Sequence, residues 1–378
     1  MAPQTADIVV IGAGMAGASA AAHLAANARV ILLEGEDRPG YHSTGRSAAL
    51  FSETYGNLPV RLLTRAGRRF YEDRAGGLAE YPILTPRGVL VFAMPGQETL
   101  LDAAWAELAP LDPTIRRLDA DAARGLVPVL RPDMIVAAIH EPGAMDIDVA
   151  GLHAAYLRRF RQRGGHLVTA APVVRLFYSS GIWNTATPAG EFAAPVVVNA
   201  AGAWADHVAA LAGLPPAGIT PKRRTALIVA APSDIDIGRW PLTIDAAETG
   251  YFKPEAGKLL VSPADETPVA PCDVQPEELD VALAIERLMR RTTVAVRHVE
   301  RKWAGLRSFA ADKVPVVGFD PLAAGFFWLA GQGGYGIQAA EGLARSAAAL
   351  IAEGRLPGDI AESGLDAAML SPARCRTG

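Results

Sequence analysis

The first 34 residues constrain this chain more than any other stretch. An apolar run, Asp7-Ile8-Val9-Val10-Ile11, meets Gly12-Ala13-Gly14-Met15-Ala16-Gly17, and a second apolar run, Arg29-Val30-Ile31-Leu32-Leu33, ends on Glu34. A buried strand that feeds a glycine turn and then a helix has few uses. Gly12 permits the tight turn, Gly14 lets backbone approach a pyrophosphate, and Gly17 lets helix and strand pack closely. Met15 and Ala16 open the helix, whose unpaired N–H groups and partial positive charge favour phosphate. Glu34 follows Gly14 by 20 residues, the place of an acid that accepts ribose hydroxyls. The segment therefore reads as the site for the ADP half of a dinucleotide.

Composition narrows the class. A chain of 378 residues is long enough for about two domains. A net charge of −4 gives no electrostatic footprint for nucleic acid. The two cysteines, Cys272 and Cys375, are far apart and have no metal-ligand spacing, so no metal is expected and both thiols are read as reduced. No apolar run reaches the roughly 18 residues of a membrane span. The first apolar run lacks a basic flank and is read as a strand, not a signal peptide. The expectation is a cytoplasmic protein, with a peripheral contact to the inner membrane left open.

Helical periodicity is expected over residues 15–26, 59–73, 97–108, 120–125 and 149–164, the last with Leu152, Tyr156 and Phe160 on one face. A second nucleotide-type unit is Val196-Val197-Val198-Asn199-Ala200-Ala201-Gly202-Ala203-Trp204, a strand whose small terminal residues let a loop lie against a cofactor. Between residues 221 and 301 the texture becomes short β-type runs, at 225–229, 251–253, 258–262 and 292–300, with a helix near 276–290. The C-terminal part returns to α/β texture: a strand at 325–330, then four glycines in the six residues 331–336, then an Ala-rich helix over 337–354. The fold class expected is α/β (α+β), a Rossmann-like FAD-binding domain with an inserted antiparallel-sheet substrate domain. The FAD-binding part is expected over 1–80, 145–220 and 305–378, and the substrate part over 81–144 and 221–304. The second glycine loop favours FAD over a nicotinamide, because a helix N-terminus there would stabilise the negative N1/C2=O edge of a reduced flavin.

Several longer blocks carry a family resemblance: Gly40-Tyr41-His42-Ser43-Thr44-Gly45-Arg46-Ser47-Ala48, Pro221-Lys222-Arg223-Arg224, Trp303-Ala304-Gly305-Leu306-Arg307-Ser308-Phe309, Gln332-Gly333-Gly334-Tyr335-Gly336-Ile337-Gln338 and Gly364-Leu365-Asp366-Ala367-Ala368-Met369-Leu370-Ser371-Pro372. With the Val198–Trp204 segment they resemble the D-amino-acid oxidase/glycine oxidase/sarcosine oxidase superfamily, within it most nearly the bacterial FAD-dependent D-arginine dehydrogenases. The resemblance implies FAD held without a covalent bond. His42, Ser43, Thr44, Arg46, Ser47 and Ala48 would line the flavin, with Ala201, Gly202 and Trp204 beside it. Val173 would meet the adenine through its backbone, and Gly333, Gly334, Tyr335, Gly336, Ile337 and Gln338 would cap the ring.

It also implies hydride transfer from an amino-acid Cα to flavin N5, giving an imine that hydrolyses to a 2-keto acid and ammonia. Arg224 and Arg307 become the carboxylate clamp, helped by the Tyr55 and Tyr251 hydroxyls. Leu50, Ser52, Val89, Leu242, Ile244 and Gly334 become the substrate pocket. Read without the resemblance, Arg307 lies in an apolar block and is expected to be buried and paired. Arg224, after Lys222 and Arg223, reads as part of a solvated face, Tyr55 and Tyr251 as core aromatics, and Lys253 and Lys258 as surface lysines.

Departures from the family pattern bear on specificity. Val89 stands where D-arginine dehydrogenases carry a glutamate, and Leu50 where they carry a histidine. Both changes predict a more apolar pocket in which D-Arg and D-Lys are poor substrates and neutral D-amino acids are favoured, unless Asp245 or Glu248 supplies a carboxylate. Leu259 is aligned with the lysine that sarcosine-oxidase-like members hold over the flavin. That favours a dehydrogenase, its electron acceptor left open among a quinone, another carrier and O₂. Other readings are a 2-hydroxy-acid dehydrogenase with His42, His140 or His207 as base, a secondary-amine oxidase, and a FAD-binding sensor or assembly subunit without turnover.

Overall fold

The computed structural model describes residues 3–376. Its centre is a six-stranded sheet in which His166–Val168, Val30–Leu33, Ile8–Ile11, Val196–Asn199 and Phe326–Ala330 run parallel, with Val316–Phe319 antiparallel at one edge. These strands are apolar at nearly every position because both faces are covered. Val10, Leu32, Val198, Phe327 and Leu329 pack on helices Met15–Leu24, Val149–Gln162 and Ala340–Glu353. The alternate residues Val9, Ile31, Leu33, Val197 and Trp328 pack on helix Ala205–Leu211 and the strands of 175–194. Those strands form an antiparallel meander, extended by Gln4–Thr5, that the sequence pattern did not announce.

A second sheet of ten strands carries the other half of the molecule. All but one of its pairings are antiparallel; Leu242–Asp245 runs parallel to Val89–Ala93, so the sheet is mixed where a purely antiparallel one was expected. Its longest pairing joins Thr220–Val229 to Arg301–Phe309. The latter strand runs through the 304/305 boundary expected between the two parts. Helix Glu278–Arg291 covers one face of this sheet, and the other face looks towards the glycine loops.

Two elements differ from expectation. The β-branched run at 292–300 is irregular: Thr292 closes the preceding helix and bridges Leu130, Thr293 N–H bonds the Val129 carbonyl, and the run meets the sheet at its last residue, where the Glu300 N–H bonds the Ile228 carbonyl. The last long helix begins at Ala340, not at 337, because Gly336 to Ala339 form a turn that closes through the Ala339 N–H to the Tyr335 carbonyl.

Candidate active site

A cavity of ≈ 1040 Å³ runs between the C-terminal edge of the parallel sheet and the inner face of the mixed sheet. Ligands bind at strand C-termini in open α/β sheets because helix N-termini and free loop backbone converge there. At this edge the fingerprint residues take up their expected geometry. Gly12 has φ 98°, and a Cβ on it would lie 2.5 Å from the Ala200 carbonyl oxygen. A Cβ on Gly17 would lie 1.8 Å from the Gly12 carbonyl oxygen. Gly17 is thus a packing residue and does not line the cavity, whereas Gly12, Gly14, Met15 and Ala16 do.

Polar groups are already oriented. Glu34 is buried, accepting the Ala13 N–H at 2.9 Å on one oxygen and the Glu36 N–H at 3.0 Å on the other. Burial raises its pKa, and the two N–H groups only partly offset that. The Met15 N–H is taken by the Thr44 hydroxyl at 2.9 Å, and no acid occupies the first turn of the helix. Asn199 is fully buried and donates to the Ala205 carbonyl at 2.8 Å, which turns Ala201, Gly202 and Trp204 onto the cavity. Val173 lines the same end.

The segment of His42, Ser43, Thr44, Arg46, Ser47 and Ala48 forms the middle of the cavity. Ser43 Oγ donates to the Leu306 carbonyl at 2.6 Å, and the Arg46 guanidinium holds Asp273 and the carbonyls of Val274 and Ala304. Arg46 thereby ties this segment to the mixed sheet. His42 leans on the Trp204 ring and binds Glu36 through Nε2 at 2.8 Å, while its buried Nδ1 has no protein partner. An elongated cavity with a carboxylate at one end, a helix N-terminus beside it and an unsatisfied ring nitrogen in its middle fits a dinucleotide such as FAD. Gly333, Gly334, Tyr335, Gly336, Ile337 and Gln338 close the far end. Neither Cys272 nor Cys375 lines the cavity.

Strand alternation settles the basic cluster. In Thr220–Val229, Arg224 and Ala226 face the cavity, while Arg223 faces away to Asp280 and Glu277 on the covering helix, at 2.9 Å each. Arg224 is not a free clamp: its Nη2 binds Glu266 at 3.1 Å and its Nε the Asp265 carbonyl at 2.8 Å. Lys222, paired with the same Glu266, completes a fixed cluster. Arg307, opposite Lys222 in the next strand, is different. It has no carboxylate partner among the described residues, so the pairing expected from its apolar block is absent. Burial lowers its pKa, but the Tyr55 and Tyr251 oxygens beside it, a hydrogen bond with Tyr55 and the charge of Glu266 beyond ion-pair distance outweigh that, and the net shift is upward. A Cβ on Gly334 would come within 3.0 Å of the Arg307 guanidinium, so only glycine lets that group lie against the loop. Tyr55 is half-exposed at the mouth and packs on Tyr335; Tyr251 is buried.

Leu50, Ser52, Val89, Leu242 and Ile244 form one wall with Gly334 opposite on the capping loop. Here the structure adds what sequence reasoning missed. Val89 pairs directly with Glu141 across the antiparallel ladder, so both side chains share a face, and Glu141 lines the cavity. A carboxylate on the neighbouring strand thus stands beside Val89. The signal was present: in Ala137-Ala138-Ile139-His140-Glu141 the acid falls in phase with the apolar Ile139. Asp245, proposed as a rescuing acid, is fully buried and bound by Arg291 at 3.0 Å; Glu248 does line the cavity. Lys253 is not on the surface: it is 3% exposed and binds Asp146 at 2.7 Å. Lys258 is exposed and pairs with Glu300. Leu259 lies in the core on the far face of the sheet, and the lysine that lines the cavity is Lys313. Position 259 therefore says nothing about reaction with O₂. Among the described residues no cluster of His, Cys, Asp and Glu could hold a metal, and no helix is long and apolar enough to cross a membrane.

Comparison with known proteins agrees with this geometry. The uncharacterized oxidoreductase YurR of Bacillus subtilis (strain 168) is 24% identical over 350 residues, covering 87% of this chain and 90% of its own length. Glycine oxidase of Geobacillus kaustophilus (strain HTA426) is 23% identical over 338 residues, covering 86% of this chain and 87% of its own. The crystal structure of glycine oxidase from Geobacillus kaustophilus superposes with a TM-score of 0.85 at 22% identity, over 98% of this chain and 99% of that one. L-proline dehydrogenase from P. horikoshii gives 0.85 at 19% identity, over 99% of each chain. A family model described as FAD dependent oxidoreductase (DAO) matches residues 7–350. A nucleotide end of the expected geometry, a free arginine beyond it and a family match across most of the chain lead to one assignment: the protein belongs to the DAO family of FAD-dependent oxidoreductases.

Proposed function

We propose that the protein oxidises the CH–NH₂ group of a D-amino acid, giving an imine that water hydrolyses to a 2-keto acid and ammonia. The carrying observation is Arg307: a half-buried guanidinium without a carboxylate partner, facing a cavity between two tyrosine hydroxyls. A planar fork with unspent donors is suited to hold a carboxylate through two parallel bonds. Tyr55 and Tyr251 add one donor each and fix the angle of the clamp. Glu266 holds Arg224 back from the substrate, leaving that residue to shape the wall and contribute positive potential.

Residues 1–80, 145–220 and 305–378 hold the cofactor in this reading, and 81–144 and 221–304 form the substrate wall. Bound FAD supplies the acceptor for the hydride that leaves Cα. The protein orients the reacting carbon by fixing the α-carboxylate at Arg307, and the loop of Gly333 to Gln338 excludes water on that side. The D configuration rests on the sequence blocks shared with D-amino-acid dehydrogenases. Glycine oxidase is among the similar proteins and fits the same chemistry on an amino acid without a side chain.

A 2-hydroxy-acid substrate would need a base to take the alcohol proton. His140 does not line the cavity; His42, already bound to Glu36, and His207, which follows Trp204 on helix Ala205–Leu211, line it at the cofactor-holding segments. That observation favours the amine. The test is anaerobic bleaching of the yellow holoenzyme by single D- and L-amino acids, glycine, sarcosine, D-lactate and 2-hydroxyglutarate. Bleaching by D-amino acids supports the reading; bleaching by hydroxy acids alone, or by nothing, overturns it. Reoxidation by O₂, a quinone or a dye then sorts oxidase from dehydrogenase.

A further inference from the structure

We propose that Glu141 selects the substrate, receiving the cationic end of its side chain, an alkylammonium or a guanidinium. The inference rests on the amino-acid reading above and deepens it. Glu141 is 7% exposed and lines the cavity. The Ser52 hydroxyl donates to one of its oxygens at 2.9 Å and the Thr54 hydroxyl to the other at 2.8 Å. No basic side chain reaches it among the described residues, and its charged neighbours are acids, Asp112 and Glu53. Arg61, which also lines the cavity, is paired with Glu107.

A desolvated carboxylate held by two hydroxyls still has lone pairs to spare, and it sits in uncompensated negative potential. A cation brought by the ligand would supply what the protein does not. The approach is suited to one: Leu50, Val89, Leu242 and Ile244 present apolar surface, against which a methylene stem packs while its charged tip goes on to Glu141. One segment of backbone serves both groups: Thr54 holds Glu141, and the next residue, Tyr55, stands beside Arg307. An α-carboxylate on Arg307 and a side-chain cation on Glu141 would use the opposite charges that line one cavity. This reverses the preference that Val89 alone had suggested.

The experiment compares kcat/KM of the holoenzyme for charged and neutral isosteres, D-lysine against D-norleucine and D-arginine against D-citrulline, in the wild type and Glu141→Gln. The wild type is expected to favour each cationic member at least about tenfold. Glu141→Gln should lose about 10- to 150-fold on the cations, the range for a hydrogen bond to a charged group, and stay within about threefold on the neutral substrates. Unchanged flavin content and melting temperature establish that the variant is folded; a misfolded Glu141→Gln is replaced by Glu141→Asp, which should lower kcat/KM for the cations selectively. Preference for the neutral isosteres in the wild type, or equal losses on both members of a pair, overturns the proposal. If neutral D-amino acids turn over and cations do not, the amino-acid reading survives and the role of Glu141 falls. If no amino acid bleaches the flavin, both fall.

Discussion

In the proposed reading, the two ends of the cavity recognise their ligands by different physics. At the nucleotide end the recognising groups are backbone: a glycine turn, a helix N-terminus, and a carboxylate already fixed by two N–H groups. These groups come from residues 8–36, and the turn depends on steric room at Gly12 and Gly17. At the substrate end the groups are side chains from separate segments: Tyr55, Glu141, Arg224, Tyr251 and Arg307. They are brought together only by strand pairing and are distinguished by whether a neighbour has taken their charge. The first end tolerates no added atom; the second tolerates change in shape but not in charge balance.

The largest expected effect tests the first half of that contrast. Gly17→Ala places a Cβ 1.8 Å from a backbone oxygen that has nowhere to move. Such overpacking should cost about 3 kcal/mol or more and release the flavin. The flavin-to-protein absorbance ratio and the melting temperature report it; a yellow, stable variant would show that the turn can yield.

Arg307→Met comes next. Two charge-assisted hydrogen bonds at about 1.5–3 kcal/mol each predict a loss of roughly 100- to 10,000-fold in kcat/KM, with flavin content retained. A loss below about tenfold would remove Arg307 from the carboxylate. Arg224→Met sharpens the comparison within the substrate end. Its guanidinium already serves Glu266, so the expected loss is about tenfold, a single weak interaction or less. If Arg224→Met proves the more damaging of the two, the assignment of the free and the occupied arginine is inverted.

The smallest effect concerns acid. His153 donates from Nε2 to the Ala13 carbonyl at 2.9 Å, behind the glycine turn. Burial lowers its pKa below 6.5, the hydrogen bond offsetting only part. A folded state that resists a proton the unfolded chain accepts is fully stable above 6.5 and loses stability as pH falls through that value towards the folded one. Melting temperatures between about pH 8 and pH 5 should therefore decline less steeply in His153→Gln than in the wild type. Parallel profiles would exclude the histidine as the source.

What could be read without coordinates follows the same division. Four of the five parallel strands, the glycine turn and most helices were legible because each is set by local periodicity and by steric limits on a few adjacent residues; His166–Val168, three residues long and without a buried one, was not. The run at 292–300 misled because β-branched residues make a strand only where a partner strand lies alongside. Lys253 misled because its charge is met by Asp146 from a distant segment.

By itself the sequence determined the strand, glycine turn and helix of residues 8–24, the acid at Glu34 and the second glycine loop at Gly331–Gly336. Tertiary structure alone decided that Arg224 is paired with a carboxylate and Arg307 is not, and that Glu141 stands opposite Val89. The reason is range. Backbone conformation is fixed by neighbours in the chain, whereas the charge state and orientation of a side chain are fixed by neighbours across a ladder, and register between distant strands is not written in either strand alone.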